Sequence, residues 1–420
     1  MKILIAHNTY QQGGGEDVVA ATEARLLSER GHQVVWYRRG NEELRAQGAF
    51  QTLATGLKSV WASDSYRELA ALLRGESPEV AHFHNTFPLI SPAAYYACTR
   101  AGVPVVQTLH NYRLLCPGAT LFREGRVCEQ CLGRRTPWPG IVHRCYRKSA
   151  FASAAAAGML TAHRWLGSWR TKVEIYIAAS EFARGKFIRG GLPASRIRVK
   201  PNLVHPDPGA RCGAGKYALF VGRLCEEKGA RVLLNAWRQL ASPVPLIVAG
   251  DGPVREDFLP SDRELQGNIS VLSTVSHDEV LALMRGARFL VFPSLVYEGA
   301  FPLAIIEAFA CGLPVVASRL GSIEEGTTHG RNSLHFSAGN CEELAKTVVW
   351  AWQHPQKMEE FGRAARLEYE ARYTADLNYE ILMEIYSSAR RTFKNNRRSD
   401  FSTDERERPQ TPLHETREWQ

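Results

Sequence analysis

The sequence has no apolar run long enough to cross a bilayer. A membrane-spanning helix needs about 18 or more apolar residues, whereas the longest charge-free stretch, residues 149–162, is short and rich in alanine. The apolar run at residues 3–6 is also too short for the core of a secretory signal. We therefore expect a cytoplasmic protein, and peripheral contact with the inner face of a membrane stays open.

Cysteine is scarce for the length of the chain. Nine cysteines in 420 residues do not make a disulfide scaffold, and their odd number favours reduced thiols. Hydrophobic residues make up 45% and charged residues 23% of the sequence. These values are near the globular average, which excludes wholesale disorder, collagen and a membrane bundle.

Acidic residues are almost missing from one segment. Residues 113–172 contain eleven basic and two acidic residues, so this segment alone accounts for the net charge of +9. Such a concentration of positive charge favours an anionic partner, namely phosphate groups, an acidic lipid surface or nucleic acid. Trp138, Trp165 and Trp169 lie among these bases, as expected of a membrane interface. A solvated loop surface is the alternative.

Short runs rich in Val and Ile alternate with longer helical stretches. Strands are predicted at 2–7, 33–37, 80–84, 103–109, 175–179, 217–221, 246–249, 269–272, 289–292 and 314–317. Nearly continuous apolar runs of this kind are typical of parallel strands that are buried on both faces. The pattern predicts an α/β protein with two tandem Rossmann-like parallel-sheet domains and a cleft between them.

A turn-rich stretch, residues 205–215, divides the two halves. An apolar stripe that includes Leu377, Ile381 and Ile385 predicts a C-terminal helix. We expect an N-terminal domain at residues 1–205, with a basic cysteine-containing insert at residues 112–172. A C-terminal domain follows at residues 206–375, then a return helix at residues 376–395 and a disordered polar tail at residues 396–420.

Two places in the sequence are suited to phosphate groups. Gly14 and Gly15 lie between the first strand and a helix N-terminus, where free N–H groups and the helix dipole favour an anion, although a plain tight turn fits equally well. Arg223 and Lys228 flank the first turn of the second domain, at the carboxyl edge of its sheet. Two cations placed there can bind a diphosphate; two unrelated surface bases are the alternative.

A carboxylate is predicted inside an apolar helix of the second domain. Glu307 follows Pro302 by five residues, and its neighbours in the helix are apolar, so it needs a partner such as the vicinal hydroxyls of a ribose. The backbone amides near Gly299 and Phe301 precede this helix and form a candidate anion site. Glu298 lies in the same loop, where it could accept a hydrogen bond from a sugar hydroxyl.

Four cysteines of the insert have the spacing of a metal site. Cys116, Cys128, Cys131 and Cys145 are separated by eleven, two and thirteen residues. This pattern suggests a structural zinc ion that holds down a segment without its own core, with His143 as a possible substitute ligand. Four unrelated reduced cysteines would have the same spacing.

Taken together, these motifs resemble the retaining, nucleotide-sugar-dependent glycosyltransferases of family 4 (group 1), which have the GT-B architecture of two Rossmann-like domains. The resemblance extends to about Phe393 and includes the glycine-rich loop and residues 80–85, 108–111, 179–181, 200–202, 222–229, 249–253, 292–294 and 298–307. It implies transfer of a hexose from a nucleoside diphosphate sugar to a glycan or lipid-linked glycan, in cell-surface polysaccharide biosynthesis and without a catalytic cofactor.

The resemblance also implies roles for the donor-side residues. Arg223 and Lys228 would hold the donor diphosphate and stabilise the leaving group in place of a metal, and Glu307 would bind the ribose. Glu298 would hold the donor sugar together with the amides that follow it, those of Gly299, Ala300 and Phe301. Eight residues separate the two glutamates, where the family usually has seven, and Ala300 looks like the extra one.

The resemblance implies further roles in the N-terminal domain. Gly14 and Gly15 would let their loop face the donor phosphate and the acceptor. His110 would contact the transferred sugar as a catalytic residue. The residues expected on the acceptor side are His84, Asn85 and Asn111.

Three alternatives remain at the level of the sequence. The same fold hosts sugar-nucleotide epimerases, which lack the glutamate-rich donor signature. A non-catalytic glycan-binding subunit is disfavoured because Lys228 and Glu307 are both present. A nucleic-acid partner is not expected, because no zinc-finger, RNA-recognition or helix-turn-helix signature accompanies the basic segment.

Overall fold

Two parallel sheets form the framework of the protein. This computed structural model describes residues 1–10, 13–44, 49–211, 213–258, 268–273 and 275–406. The strands are β1 (Lys2–Thr9), β2 (Gln33–Gly40), β3 (Val80–Asn85), β4 (Val105–Leu109), β5 (Phe122–Arg123), β6 (Arg126–Val127), β7 (Ile175–Ala178), β8 (Ile197–Val199), β9 (Ala218–Val221), β10 (Leu246–Ala249), β11 (Ile269–Leu272), β12 (Phe289–Phe292), β13 (Val315–Ser318) and β14 (Ser333–Phe336).

Helices cover both faces of these sheets. They are α1 (Gly15–Glu29), α2 (Ala49–Val60), α3 (Ser63–Glu76), α4 (Ala93–Ala101), α5 (Pro139–Val142), α6 (Ala150–Trp165), α7 (Ser168–Thr171), α8 (Glu181–Arg189), α9 (Ala230–Arg238), α10 (His277–Gly286), α11 (Leu303–Ala310), α12 (Ser322–Gly326), α13 (Cys341–Gln353), α14 (Pro355–Arg372) and α15 (Ala375–Arg406). The predicted fold class, two parallel-sheet α/β domains, is confirmed.

The strand order determines where ligands can bind. The first sheet has the order β2-β1-β3-β4-β7-β8 and the second the order β11-β10-β9-β12-β13-β14, and every pairing in both is parallel. The order reverses at β1 and β3 in one sheet and at β9 and β12 in the other. Open α/β sheets bind ligands outside the carboxyl ends of strands at such points. The loops after these strands are therefore the expected places for a site.

Two strands of the parallel sheets, β8 and β14, were not predicted, for identifiable reasons. β8 has only three residues, and Arg198 in its centre is exposed at the edge of the sheet. β14 is fully buried but contains Ser333 and His335, which read as polar in the sequence. Thr327 and His335 form a hydrogen bond of 2.7 Å that satisfies the buried ring, so polarity does not prevent burial there.

The last helix returns to the N-terminal domain, as predicted. Leu382, Ile385, Tyr386 and Ala389 of α15 form one buried cluster with Ile3 and other apolar residues of the first sheet. The helix continues to Arg406, which corrects the expected boundary at residue 395. Extending an anchored helix needs no new nucleus, so polar residues can continue it. The rest of the predicted tail, residues 407–420, lies outside the described residues.

The insert, residues 112–172, contains the short strands β5 and β6 and the helices α5 to α7. Trp138 and Trp165 are 53% and 74% exposed, whereas Trp169 is buried and packs 5.8 Å from the ring of His163. The expectation that all three tryptophans face a membrane interface is thus wrong for Trp169. None of the helices in the described part of the chain has both the length and the hydropathy to span a bilayer.

Candidate active site

A cavity of about 1610 Å³ lies between the two domains. It is lined by the loops that follow β1, β4, β9 and β12, which are the carboxyl ends of both sheets. Ordinary ligand pockets have volumes of about 300–1,000 Å³. The cleft therefore has room for two substrates at once.

Lys228 and Glu298 form an ion pair inside this cleft. The Nζ atom of Lys228 lies 2.7 Å and 2.8 Å from the two carboxylate oxygens of Glu298. Ser294 also donates a hydrogen bond of 2.8 Å to this carboxylate. The sequence predicts both charged residues at the site but not their pairing. The carboxylate of Glu298 therefore neutralises the positive charge of Lys228 that would meet a diphosphate.

A glycine fixes the loop that carries Lys228. Gly229 has a φ of +71°, and a Cβ atom there would lie 1.8 Å from the carbonyl oxygen of Pro293. Glycine alone avoids this collision and adopts the left-handed conformation without cost. The loop after β9 is thus pressed against the end of β12, and this contact brings Lys228 to Glu298.

Arg223 lies exposed at the end of β9 and lines the cleft. Its guanidinium forms no hydrogen bond or ion pair with another residue of the described chain. Together with Lys228 it places two cations at the carboxyl edge of the second sheet, as predicted. A ligand can bind the guanidinium of Arg223 without displacing another residue, whereas it must displace Glu298 to bind the ammonium of Lys228.

Glu307 is almost completely buried in α11. Only 6% of the residue is exposed, and burial raises the pKa of its carboxyl group to about 8. The exposed His277 is its neighbour, with Nδ1 3.6 Å from a carboxylate oxygen. Leu303 and Ala304, one helical turn earlier, line the cleft, but Glu307 itself is not part of the lining. The carboxylate therefore lies behind the lining residues, about one helical turn beyond them.

The segment after Glu298 contacts the N-terminal domain. An added Cβ atom on Gly299 would lie 2.3 Å from the carbonyl oxygen of His110 and 2.7 Å from the Cα atom of Asn111. Tyr112 donates a hydrogen bond of 3.1 Å to the carbonyl of Glu298. The donor-side loop thus packs directly on the backbone that presents His110.

The rest of this segment is fixed from within its own domain. Ser322 donates hydrogen bonds to the carbonyls of Glu298 and Ala300. The side chain of Phe301 is buried and stacks on Tyr373 at 5.5 Å. Ala300, the extra residue between the two glutamates, is thereby accommodated before α11 begins. Phe301 can contribute only backbone groups to a ligand.

The contact at Gly299 gives a testable prediction. We expect Gly299→Ala to lower the rate of the catalysed reaction at least tenfold, because a displacement of about 1 Å near a reacting centre can cost about a hundredfold. The thermal midpoint should change little, since the two domain cores are distant from the collision. Steady-state kinetics and thermal unfolding measure the two effects.

Gly158→Ala in α6 is a matched control, because nothing lies within 4 Å of a Cβ atom added there. A Gly299→Ala protein as active as this control would show that the two domains do not need this close approach.

The glycine-rich loop is less open to an anion than the sequence predicts. The N–H of Gly14 donates a 2.8 Å hydrogen bond to Asp17, which also bonds to His7 at 2.8 Å. Burial opposes ionisation of Asp17, but these hydrogen bonds outweigh it and lower its pKa. Gly14 and Gly15 both line the cleft. The Gly14 amide, however, already caps α1 through Asp17 instead of facing a phosphate.

The three residues expected on the acceptor side have different positions. Asn111 lines the cleft, and its amide donates a 2.6 Å hydrogen bond to Glu16. Asn85 is buried and donates to the carbonyl of Asn8 at 2.8 Å. His84 is also buried, directly behind His110. The structure therefore brings Asn111 to the site and leaves His84 and Asn85 outside the cavity lining.

His110 is oriented by His84. Nδ1 of His84 lies 2.9 Å from Nε2 of His110, and the two rings stack at 5.2 Å. Burial lowers the pKa of both imidazoles, so both rings are neutral near pH 7. One neutral ring must then donate to the other, which fixes the plane of His110 in the cleft.

A buried carboxylate lies behind these histidines. Glu23 of α1 is fully buried, and its Oε1 atom lies 2.6 Å from Nζ of Lys200. Burial raises the pKa of Glu23, but the charge of Lys200 and its hydrogen bond help to outweigh that effect, and the pKa is lowered. The free oxygen of Glu23 faces Nε2 of His84 at 3.6 Å. Because a carboxylate cannot donate, the proton of His84 belongs on Nε2, so Nδ1 accepts from His110.

This cluster is a hydrogen-bond network and not a metal centre. Glu23, His82 and His84 place one ligand atom each within 4.8 Å of one another. However, the ammonium of Lys200 already binds Glu23, and both ring nitrogens of His82 are engaged by Thr108 and by Tyr386 of α15. The network links the return helix to His110. The sequence analysis missed Glu23, whose partner is 177 residues away.

Substitution of Lys200 should destabilise the protein, because the buried carboxylate of Glu23 would lose its counter-ion. We expect Lys200→Met to lower the free energy of unfolding by about 3–5 kcal/mol, because Glu23 would remain buried without a counter-ion. The variant should also lose the hydrogen bond of 3.0 Å to Asn378 on α15. Urea denaturation measures the change.

Lys216→Met, at an exposed lysine, serves as the control. The double variant Lys200→Met/Glu23→Leu should recover most of the stability. If the single variant is as stable as the control, the buried ion pair does not hold the N-terminal domain and return helix together.

The four cysteines of the insert lie away from the cleft. All four line one small pocket together with His143. The four cysteines of the predicted metal site therefore line the same pocket, but no three of their sulfur atoms all lie within 4.8 Å of one another. They contribute nothing to the interdomain cavity.

Two family models match the chain in succession. A model described as Glycosyltransferase Family 4 matches residues 13–208, and one described as Glycosyl transferases group 1 matches residues 215–354. The D-inositol 3-phosphate glycosyltransferase of Pseudarthrobacter chlorophenolicus is 31% identical over 275 residues, and D-rhamnosyltransferase WbpZ of Pseudomonas aeruginosa is 29% identical over 165 residues. The match to the D-inositol 3-phosphate glycosyltransferase covers 63% of this chain and 61% of that protein. The match to WbpZ covers 38% of this chain and 42% of that protein.

Solved structures share the fold over most of the chain. The Anabaena protein HepE, crystallised with UDP, superposes with a TM-score of 0.65 at 18% identity and covers 92% of this chain and 100% of its own. Sucrose-phosphate synthase from Thermosynechococcus elongatus has a TM-score of 0.68 at 14% identity, with 91% and 98% covered. Similarity at these identities concerns the two-domain fold.

Proposed function

This chain belongs to the group 1 glycosyltransferases of GT-B architecture, and we propose that it transfers a hexose from a nucleoside diphosphate sugar to a glycan or lipid-linked glycan. The observation that carries the proposal is the placement of Arg223 and Lys228 at the carboxyl edge of the second sheet, inside a cleft that has room for two substrates. The setting is the synthesis of cell-surface polysaccharide.

The ion pair of Lys228 and Glu298 suggests how the donor is recognised. A diphosphate entering between Arg223 and Lys228 competes with Glu298 for the ammonium group. The carboxylate of Glu298, still held by Ser294, is then free to accept hydrogen bonds from hydroxyls of the donor sugar. Glu307, behind the residues that line the cavity, accepts from the ribose. Donor binding therefore creates the sugar site.

We assign the reaction to the retaining class without a protein nucleophile. This assignment follows the resemblance to the family. The acids of the described chain that line the cleft are Glu16, Glu227, Asp251 and Glu298; Ser294 holds Glu298, and Asn111 and Tyr10 hold Glu16. The bond between the sugar C1 and the phosphate oxygen breaks as the acceptor oxygen bonds to C1 on the same face. The acceptor proton passes to the departing phosphate.

The rate then depends on electrostatic stabilisation. The leaving diphosphate gains negative charge as the bond to the sugar breaks, and Arg223 and Lys228 hold that charge in a site that excludes water. No metal is needed for this step. The Nε2–H group of His110 donates a hydrogen bond to His84. Nδ1 of His110 therefore carries no proton and can accept a hydrogen bond from a sugar hydroxyl.

A panel of nucleotide sugars tests the proposal. HepE was crystallised with UDP and with UDP-glucose, which makes uridine donors the first choice, followed by guanosine donors. We expect release of the nucleoside diphosphate from one of them, with the product anomer matching that of the donor by NMR. Epimerised donor without transfer would favour the epimerase, and inertness toward every donor would favour a non-catalytic subunit. Either result contradicts the proposal.

The acceptor we propose is presented at an anionic membrane surface. The insert exposes five large apolar side chains, which with the bases beside them we call the insert patch: Trp138, Val142, Phe151, Trp165 and Leu166, with Arg134, Arg135, Arg144 and Lys148. Arg164, next to Trp165, donates a 3.3 Å hydrogen bond to the carbonyl of Arg135, so the two ends of the patch meet. Apolar rings among cations are suited to anionic headgroups.

The insert also reaches the cleft. Arg147, Ala119 and Thr120 line the interdomain cavity, and Arg147 adds a cation on the acceptor side. A phosphate-bearing lipid-linked glycan could therefore extend from the membrane surface to His110.

Sedimentation with vesicles that contain phosphatidylglycerol tests this part. We expect binding that weakens with salt and is lost in Trp138→Ser/Trp165→Ser. Leu367→Ser, at an exposed leucine of the C-terminal domain, should bind normally. Absence of binding by the unaltered protein would dismiss the membrane surface as a partner, and equal binding by all three proteins would show that the insert patch does not make the contact.

A further inference from the structure

The four cysteines of the insert surround one enclosed space. Cys116, Cys128, Cys131 and Cys145 line a pocket whose volume is about 10 Å³. A space of about this size holds one water-sized sphere, which is also the scale of a single metal ion. The fifth potential ligand on its wall is His143.

The residues around this pocket fit a cation bound by thiolates. Cys116 and Cys145 both lie beside Gly118: a Cβ atom added there would be 3.7 Å from Sγ of Cys116 and 3.5 Å from Cβ of Cys145. Two guanidinium nitrogens of Arg123, Nε and Nη1, are buried without a hydrogen-bond partner in the described structure. Four thiolates around a divalent ion carry net negative charge, and their sulfurs accept N–H donors. Arg123 has an ion pair of 3.8 Å with Glu124, and a metal–thiolate centre would give its guanidinium a hydrogen-bond acceptor.

The backbone of the insert also needs a constraint. Six residues other than glycine have φ between +50° and +67°, a conformation that costs about 1–3 kcal/mol each: Ala119, Leu121, Glu124, Arg144, Arg147 and Lys148. The strands of this region have two residues each and α5 has four. Regular hydrogen bonding therefore supplies little of the rigidity that such conformations require.

We propose that Cys116, Cys128, Cys131 and Cys145 bind one structural zinc ion that fixes the insert. Four cysteines that include a pair separated by two residues, Cys128 and Cys131, are a ligand set of structural zinc sites. The ion ties the loop after β4, which carries Cys116, to the hairpin of β5 and β6 and to the end of α5. It thereby fixes Arg147 at the cleft and Trp138 on the insert patch.

Binding requires a local adjustment of side chains. Zinc–sulfur distances are about 2.3 Å, so the four sulfurs of a tetrahedral site approach one another closely. Within the described residues, the group of Glu23, His82 and His84 is the one whose ligand atoms all lie within 4.8 Å of one another. The cysteine sulfurs are therefore farther apart without the ion, and rotation about their Cα–Cβ bonds would bring them onto it. Each of the four is present as a free thiol.

The test is the metal content of the full-length protein purified under reducing conditions. We expect about one zinc per chain by inductively coupled plasma mass spectrometry. After removal of zinc with a chelator, titration with Co²⁺ should produce the thiolate-to-cobalt charge-transfer absorption of a tetrahedral site. The cobalt titration uses the unaltered chain, so it does not depend on the folding of any variant.

Two variants locate the site. Cys131→Ser should bind less than a tenth of the zinc of the unaltered protein, whereas Cys341→Ser, in α13 of the other domain, should bind a full equivalent. Absence of zinc and of cobalt–thiolate absorption in the unaltered chain would overturn the proposal, as would disulfides among the four cysteines in the native protein. Zinc bound equally by both variants would also overturn it. None of these readouts depends on transferase activity.

Discussion

Lys228→Ala is expected to lower kcat/KM for sugar transfer by about a thousandfold. Loss of one group that stabilises transition-state charge costs about 10²–10³ in rate. Here the loss is compounded, because Glu298 sits 2.7 Å from Lys228 and would remain in the cleft as an unpaired negative charge facing the donor diphosphate. Release of nucleoside diphosphate at saturating acceptor measures the effect.

Arg231→Ala is the matched control for this variant. Arg231 lies on the helix that Lys228 precedes, but it is exposed and paired with Asp257 at 3.0 Å. We expect its activity to stay within about twofold of the unaltered protein, since exposed pairs contribute little. A Lys228→Ala protein that keeps more than a tenth of the activity would remove Lys228 from the catalytic machinery.

Glu307→Gln should weaken binding of the nucleoside diphosphate by about a hundredfold or more. Two ribose hydroxyls donate to the carboxylate, and hydrogen bonds to a charged group contribute about 1.5–3 kcal/mol each. Glutamine offers one neutral acceptor in place of two charged oxygens. Calorimetric titration with UDP near pH 9, where Glu307 is ionised, gives the largest difference.

The same substitution should change the stability of the ligand-free protein in the opposite sense. Burial raises the pKa of Glu307 from about 4.5 to about 8, so the folded state resists ionisation. Its contribution to stability is complete below about pH 4.5 and is lost as pH rises through 8. Relative to the unaltered protein, Glu307→Gln should therefore gain thermal stability at pH 9 compared with pH 5.

His277 is the titratable neighbour of Glu307, so the pH comparison is repeated in a His277→Asn background. If the difference in thermal midpoint between Glu307→Gln and the unaltered protein is the same at pH 5 and pH 9, ionisation of Glu307 does not destabilise the folded protein. Unchanged affinity for UDP at pH 9 would show that the carboxylate does not touch the nucleotide.

The strands were predictable from the sequence where burial on both faces produces a continuous apolar run. Strands covered on both faces consist of Val, Ile, Leu, Ala and Phe, so β10 and β12 coincide with their predicted bounds. β8 escaped prediction because an edge strand alternates, and β14 because its polar side chains are satisfied by partners that the sequence does not reveal. The extension of α15 to Arg406 has no hydrophobic signature.

The site was predictable residue by residue but not as a set of contacts. Motif positions identified Arg223, Lys228, Glu298 and Glu307. The pairing of Lys228 with Glu298 depends on the close approach at Gly229, and the docking of Gly299 on His110 depends on how the domains face each other. Such contacts join residues that are far apart in the chain, and no local pattern encodes them.

Glu23 shows the same limitation in the interior. In the sequence it is one of several charges on α1, a helix whose other acids include the partly exposed Glu16. Its complete burial follows from Lys200 and from α15, which reach it only in the folded chain. The signal that could have found it is the apolar surroundings of α1, where a buried carboxylate requires a cation.

The crystal structure of the protein with UDP tests the central claim most directly. The account predicts that the diphosphate lies between Arg223 and Lys228, that Lys228 has exchanged Glu298 for a phosphate oxygen, and that both ribose hydroxyls donate to Glu307. A nucleotide bound elsewhere, or bound in the cleft while Lys228 keeps its pair with Glu298 and Glu307 stays out of contact, would contradict it.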